Sequence, residues 1–431
     1  MRNVLAVVLL LATTAVAQTP HVVEVFHEFD RIGAPPLWPG FEPTKTAVEV
    51  FDGTNTYLYH HPKPPEGFTP LAGAPGVVVF AGQHDSVRAN TGTELNAVPT
   101  ATADLSKSKA TVREQAALLI HETFHVYEKQ AHPKWAANEA ELFTYPFEDA
   151  ELLAVRRVET TELLAALNTK SDPQAMCAAI WPLDVRKQRF AKMTADAVAY
   201  ERGIELNEGL AQYLEYKSIG RPYALTNADF PVEQIRQRAY ATGQALAILL
   251  DRSGRDWKEA MDGKPLDVLL DESIKEDCGS LFLEHDSPDV RQAEEDVRRL
   301  VASRQQRKRD FLSAPGWRIE IVAGKEPLWP QGFDPWNVSN LGDNNILHTR
   351  WAKMGNGAGV MEALDHASLT EGVGPHPLFN GAKRFIITGL AAPPTIHEKD
   401  GKLTIAAPGA KGSFTGASVT TTGTTVVLRL P

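Results

Sequence analysis

Residues 121–125 read His-Glu-Thr-Phe-His. Two histidines four positions apart come to one face of a helix, so their imidazoles can take a single zinc ion from one side. Glu122 then stands beside the ion, where a zinc-held water would sit. A carboxylate there can accept the water's proton and later return it. The flanking residues suit the helix that this chemistry needs. Glu114, Ala116, Ala117, Leu118, Leu119 and Ile120 lead in as a helix-forming run, and Val126 and Tyr127 continue it. The plain alternative is a helix with two satisfied histidines and a surface glutamate.

Such a site needs a third protein ligand, with one position left for water. Leu206-Asn207-Glu208-Gly209-Leu210-Ala211-Gln212-Tyr213-Leu214-Glu215 offers one. This stretch resembles the Asn-Glu-Gly-x-Ala-x-Tyr segment carrying the third ligand in aminopeptidase-type gluzincins. With the upstream His-Glu-x-x-His, the chain resembles gluzincin-type zinc metallopeptidases, thermolysin-like and aminopeptidase-N-like, of an exported bacterial kind. The resemblance covers the two motifs and not the long stretch separating them. It implies a zincin core holding one zinc ion through His121, His125 and Glu208, and a peptide or protein substrate. Gly209 and Ala211, being small, are expected to let this helix approach the zinc helix closely. Glu205, one turn earlier, is the main rival ligand or else a partner to a ligand. Glu139 and Glu141 are further rivals, and each of these acids could be a plain surface charge. Other spacings fail. A metzincin-like third histidine would need Gly at 128 and His at 131, where Glu128 and Ala131 stand. His132 is one place late and precedes Pro133. At the shorter spacing of thermolysin-like enzymes stand Thr144 and Tyr145.

The implied reaction is metal-assisted hydrolysis of a peptide bond. Zinc acidifies its water and polarises the carbonyl, and Glu122 takes the proton and passes it to the leaving amine. The tetrahedral oxyanion needs one more donor. Tyr240, in Arg238-Ala239-Tyr240-Ala241-Thr242-Gly243, is the first choice, since Gly243 would permit close approach; a buried packing tyrosine is the alternative. Tyr127 lies too near the end of the zinc helix. Endopeptidase and aminopeptidase action both stay open. So does a non-catalytic cell-envelope binding protein with a structural or vestigial zinc site, although a structural site has no use for a general base. A zinc hydrolase acting on another bond lacks a supporting phosphate or sugar motif.

These residues must be positioned by the rest of a 431-residue chain, long enough for two or three domains. Its 43% hydrophobic and 23% charged content is that of a globular protein. A net charge of −10 disfavours nucleic acid, and the Arg-Gln-Gln-Arg-Lys-Arg stretch at 304–309 reads as the solvated end of a helix. Arg2, the apolar run Val4 to Ala12 and Ala15-Val16-Ala17 read as a secretory signal cleaved after Ala17. No later apolar run is long enough to span a membrane. The expectation is a secreted or periplasmic protein with no stable membrane insertion after signal removal. Cys177 and Cys278 suggest one disulfide in an oxidising compartment, with two buried thiols as the alternative.

The expected fold class is α+β: a mainly helical core flanked by an N-terminal β-rich region and a C-terminal β-sandwich-like domain. The expected division is a signal peptide at 1–17, a β-rich part of the catalytic unit at 18–107, a helical core at 108–312 and a β-rich domain at 313–431. Val48–Phe51, the turn Asp52-Gly53 and Thr56–Tyr59 predict a hairpin. Val77–Phe80 predicts a strand, Asn90 to Asp104 an edge strand that could pair with an extended substrate, and Pro-rich 62–75 a loop. Helical spacing predicts 111–130, 147–168, 184–219, 231–252 and 288–311. Alternation at Trp317–Val322, Phe385–Ile387 and Thr425–Leu430 predicts the C-terminal strands. The likeness of residues 36–43 to 327–335, each a Pro-Leu-Trp-Pro loop, raises a duplicated β-module.

Overall fold

The zinc-motif helix starts where the sequence supplies a cap. Thr111 Oγ1 accepts from the backbone of Glu114 and the Glu114 carboxylate accepts from the backbone of Thr111, a reciprocal capping box. In the computed structural model, which describes residues 20–87, 90–220, 224–225, 230–261, 263–274, 278 and 287–431, the helix then runs over Val112–Ala131. The expected signal segment, 1–17, lies outside the described residues. The chain is α+β and forms two compact units. One is Met1–Lys134 with Ala211–Pro222, the other Trp135–Leu210 with Tyr223–Pro431. The division falls inside a continuous helical run, residues 195–219.

The first unit opens with α1 (His21–Gly33), a helix inside the region expected to be β-rich. Its valines and phenylalanines are strand-favouring types. Their spacing decides otherwise, because Val22, Val25, Phe26, Phe29 and Ile32 make one buried helical stripe. The sheet comprises β1 (Ala47–Phe51), β2 (Asn55–Tyr59), β3 (Thr69–Pro70), β4 (Val77–Ala81), β5 (Thr91–Leu95) and β6 (Val98–Asp104), ordered β3-β4-β2-β1-β6-β5. The predicted hairpin is present, with Val48 opposite Tyr59 and Phe51 opposite Thr56. Asp52 shapes its turn by accepting from the backbone N–H groups of Thr54 and Asn55. Two expectations need correction. The Pro-rich loop contributes the two-residue strand β3. Asn90 to Asp104 is a hairpin rather than one strand, turned by Asn96 and Ala97 at positive φ. β6 joins β1 in parallel, and only β5 lies at the edge.

The capped helix, α2 (Val112–Ala131), is buried on nearly every side. α1 packs along it, and Gly33 comes close enough that a Cβ there would sit 3.2 Å from Ile120. Trp38 and Phe41 cover Phe124 edge-on, and Tyr127 donates to the Pro39 carbonyl at 2.8 Å. Trp38 is therefore buried in a loop, whereas Trp329 lies on a strand and is 41% exposed. The two Pro-Leu-Trp-Pro segments do not repeat a structure.

In the second unit α3 (Ala150–Asn168), α4 (Asp172–Phe190) and α5 (Ala195–Ile204) lead into a π-turn, Glu205–Gly209, and then α6 (Leu210–Ile219). α7 (Ile235–Arg252) and a last helix, Val290–Leu312, follow. α4 begins well before the expected 184 and continues through buried Pro182, where proline normally interrupts a helix. Cys177 in α4 is bonded to Cys278, closing 101 residues; in chain-entropy terms such a loop is worth about 4–5 kcal/mol. At the 304–309 stretch, Arg304 is buried and donates to Glu148 and Glu233 rather than standing in solvent.

The interior of these helices is ionic as well as apolar. Arg186 forks onto Glu205 and reaches Glu159. Arg189 binds Glu159 and Glu201, and Arg238 binds Glu159 and Thr160. All three arginines are essentially inaccessible to solvent. Buried charges persist only when paired, and this network pins α3, α4, α5, the π-turn and α7 in one arrangement.

The C-terminal strands form two antiparallel-rich sheets facing each other across a shared core. Ile319, Phe385, Ile387 and Leu428 come from the seven-stranded sheet, and Met354, Met361, Ile405 and Phe414 from the six-stranded one. This is the expected sandwich. It is tied to the short turn Glu139–Phe143, where Asn340 donates to the Phe143 carbonyl at 2.7 Å and Phe143 enters the sandwich core.

Candidate metal centre

α2 sets His121 and His125 one turn apart, with ring centroids 4.7 Å from each other. Each ring is held from behind by a carboxylate. His121 Nδ1 meets Glu215 Oε1, on α6, at 2.7 Å, and His125 Nδ1 meets Glu128 Oε2 at 2.9 Å. With Nδ1–H donating to a carboxylate, the ring's lone pair lies on Nε2, and the carboxylate raises its basicity. That is the usual arrangement behind a metal-bound histidine. Glu122 follows His121 by about 100° around the helix and is only 4% exposed.

Glu208 sits on the π-turn. Its i→i+5 pattern widens the helix locally, a distortion found often at functional sites. The distortion accompanies a very close helix approach. A Cβ on Gly209 would lie 2.6 Å from the Gly243 Cα, and one on Gly243 would lie 2.6 Å from the Glu205 carbonyl. Gly209 therefore lets α7 close onto the π-turn, which corrects the expectation that its smallness serves the zinc helix. Gly243 permits a close approach as expected, and it is to this turn.

Arg236 organises the residues around Glu208. Its Nη2 donates to Glu208 Oε1 at 2.8 Å, its Nη1 to the Tyr240 hydroxyl at 2.7 Å, and its Nε to Glu139 Oε1 at 3.0 Å. Burial works against the arginine's charge, but Glu208, Tyr240 and Glu139 together raise its pKa above the ordinary value. The Tyr240 hydroxyl also bonds Glu208. Burial first, then the Glu208 charge, push its pKa far up, with Arg236 opposing. Tyr240 thus keeps its proton through the physiological range.

The ligand atoms of His121, His125 and Glu208 all lie within 4.8 Å of one another, and among the described residues they form the one group of three His, Cys, Asp or Glu side chains so disposed. Two imidazole nitrogens and one carboxylate oxygen, with carboxylates behind both imidazoles, fit a zinc ion with a fourth position open. The rival acids lie in other bonds. Glu205 accepts from Arg186 and Thr242, Glu139 from Arg236 and Tyr200, and Glu141 from Asn138 and Thr144.

Four neighbours escaped the sequence reading: Glu128, Glu215, Arg236 and Trp336, whose ring lies against the Arg236 guanidinium. Glu128 was legible as an acid one turn after His125, and Glu215 as an acid two turns after Glu208. Arg236 precedes Tyr240 by one turn. Nothing in the sequence pointed to Trp336. Comparison of the chain with protein-family models, curated proteins and solved structures finds no match.

Proposed function

We propose that this protein is an exported zinc-dependent peptidase, with His121, His125 and Glu208 as metal ligands. The observation that carries the reading is the convergence of these three side chains with a carboxylate behind each imidazole. When bound, the ion would supply Lewis acidity and a nucleophilic water at neutral pH. The rest falls to the chain's own residues. Glu122 accepts a proton during attack and delivers it to the leaving amine. Tyr240 turns its one hydroxyl proton from Glu208 to the oxyanion that develops from the scissile carbonyl, while Arg236 holds both Tyr240 and Glu208 in place.

The edge strand β5 favours a peptide as substrate. It leaves a row of backbone groups for an extended chain, and it lies against α2, with a Cβ on Gly92 only 3.2 Å from Val126, the residue after His125. Export agrees with the Cys177–Cys278 disulfide, and no helix among the described residues is long and apolar enough to cross a membrane. The test is Glu122→Gln against a peptide library. It should keep its zinc and lose hydrolysis by about 100-fold or more. Full turnover in that variant would remove Glu122 from the mechanism.

A further inference from the structure

The same site has an aromatic wall supplied by the C-terminal sandwich. The turn Pro335–Asn337 is fixed by Asp334, whose carboxylate accepts from the Trp336 backbone at 2.9 Å and from Asn337 at 3.0 Å, and is itself bound by Arg350 at 3.0 Å. A rigid turn therefore presents Trp336, a residue 51% exposed. The ring is not loose on the surface. The Arg236 guanidinium lies 4.5 Å from its centroid, and the Tyr240 ring meets it edge-on at 5.6 Å. Both residues bond Glu208. Among the described residues, the other exposed large apolar side chains are Ile180, Trp329, Leu364, Val373 and Phe379; only Trp336 is tied in this way to the third ligand.

We infer that Trp336 is a specificity-determining residue, selecting substrates with a neutral aromatic side chain next to the bond hydrolysed. The inference rests on the peptidase reading above. Its chemistry follows from what already touches the ring. A cation on the substrate would meet Arg236, which already takes the favourable interaction with the indole. An anion would meet the carboxylates of Glu208 and Glu139, which already pair with Arg236. A neutral ring suffers neither penalty and gains stacking or edge contact with Trp336 and Tyr240.

The experiment is calorimetric binding of metal-chelating probes to the zinc-loaded full chain. Acetohydroxamic acid, its 3-phenylpropanoyl counterpart and a 6-aminohexanoyl counterpart are compared in wild type, Trp336→Phe and Trp336→Ala. Wild type should bind the phenyl probe about tenfold tighter than the acetyl probe, and the amino probe no tighter than the acetyl one. That preference should survive in Trp336→Phe and collapse in Trp336→Ala, with acetyl binding unchanged throughout. An unchanged phenyl preference in Trp336→Ala overturns the inference while leaving the metal site standing. Equal weakening of all three probes in Trp336→Ala would mean that the indole only braces the site, and overturns it too. If acetohydroxamic acid fails to bind the zinc-loaded wild type, the metal-centre reading fails and the inference falls with it.

Discussion

Glu215 has no direct place among the proposed ligands, yet its removal should weaken zinc binding by a calculable amount. Its carboxylate accepts from His121 Nδ1 at 2.7 Å and is nearly buried. When the other ring nitrogen binds a dication, the imidazole gains positive character and this bond strengthens. A hydrogen bond to a charged group contributes about 1.5–3 kcal/mol. Glu215→Gln keeps an acceptor of similar shape but loses the charge, so roughly half of that is forfeited. One pK-sized increment of about 1.4 kcal/mol is tenfold in affinity. Glu215→Ala loses the acceptor altogether and should cost about 100-fold, the upper end for residues supporting a metal ligand. The assay is zinc competition with a chromophoric chelator at pH 7, with thermal unfolding of the zinc-free variants as the control for folding. Both variants holding zinc within twofold of wild type, while folded, would refute the argument that this carboxylate orients and activates His121.

Three further outcomes are expected. Tyr240→Phe should lower kcat by about 100-fold or more, with a smaller loss of zinc affinity because the hydroxyl's bonds to Arg236 and Glu208 go with it; steady-state kinetics on any cleaved peptide, beside zinc content, reads the split. Gly243→Ala gains about 1 kcal/mol of helix propensity, but its methyl meets backbone at 2.6 Å. Because backbone cannot turn aside like a side chain, the net effect should be destabilisation of about 1–2 kcal/mol, with weaker zinc binding as the π-turn shifts. Denaturant unfolding and chelator competition measure the two effects. In the ionic interior, burial opposes the charge of Glu159, but Arg189, Arg238 and Arg186 hold its pKa well below the carboxylate range, and Glu201 is lowered in the same sense. A depressed folded pKa stabilises above the unfolded value of about 4.3, and that stability is lost as pH falls toward the folded value. Stability should therefore hold from pH 7 to about 5 and drop below about 4. Glu159→Gln, which strands buried arginines, should cost about 3–5 kcal/mol at pH 7 and flatten the acid decline. An equally steep decline in that variant would count against the network as its source.

How much of this was legible in the sequence depended on the range over which each feature is encoded. α2 could be read to within a residue because its helix-forming run and its motif lie in one short window. α7 and Val290–Leu312 were likewise legible from spacing, and the sandwich strands from alternation. α1 was missed because the β-rich label covered residues 18–107 as a whole and the helical spacing of Val22, Val25, Phe26, Phe29 and Ile32 was not read. The hairpin of β5 and β6 was missed because Asn96-Ala97 lacks the usual glycine. In the site, His121, Glu122 and His125 are local. Glu208 was singled out through a second short motif, although the same motif misled about Gly209. The partner of Gly209 is Gly243, and that pairing is a tertiary fact. Arg236 and Trp336 belong to the same category. Their roles arise when α7, the turn Glu139–Phe143 and the sandwich meet.

The most direct test is the zinc content of the purified chain, wild type beside Glu208→Ala, after zinc loading and removal of unbound metal. One zinc per wild-type chain and little in the variant is the expected result. A well-folded wild type that holds no zinc, or a Glu208→Ala variant that holds as much as wild type, would contradict the proposed centre.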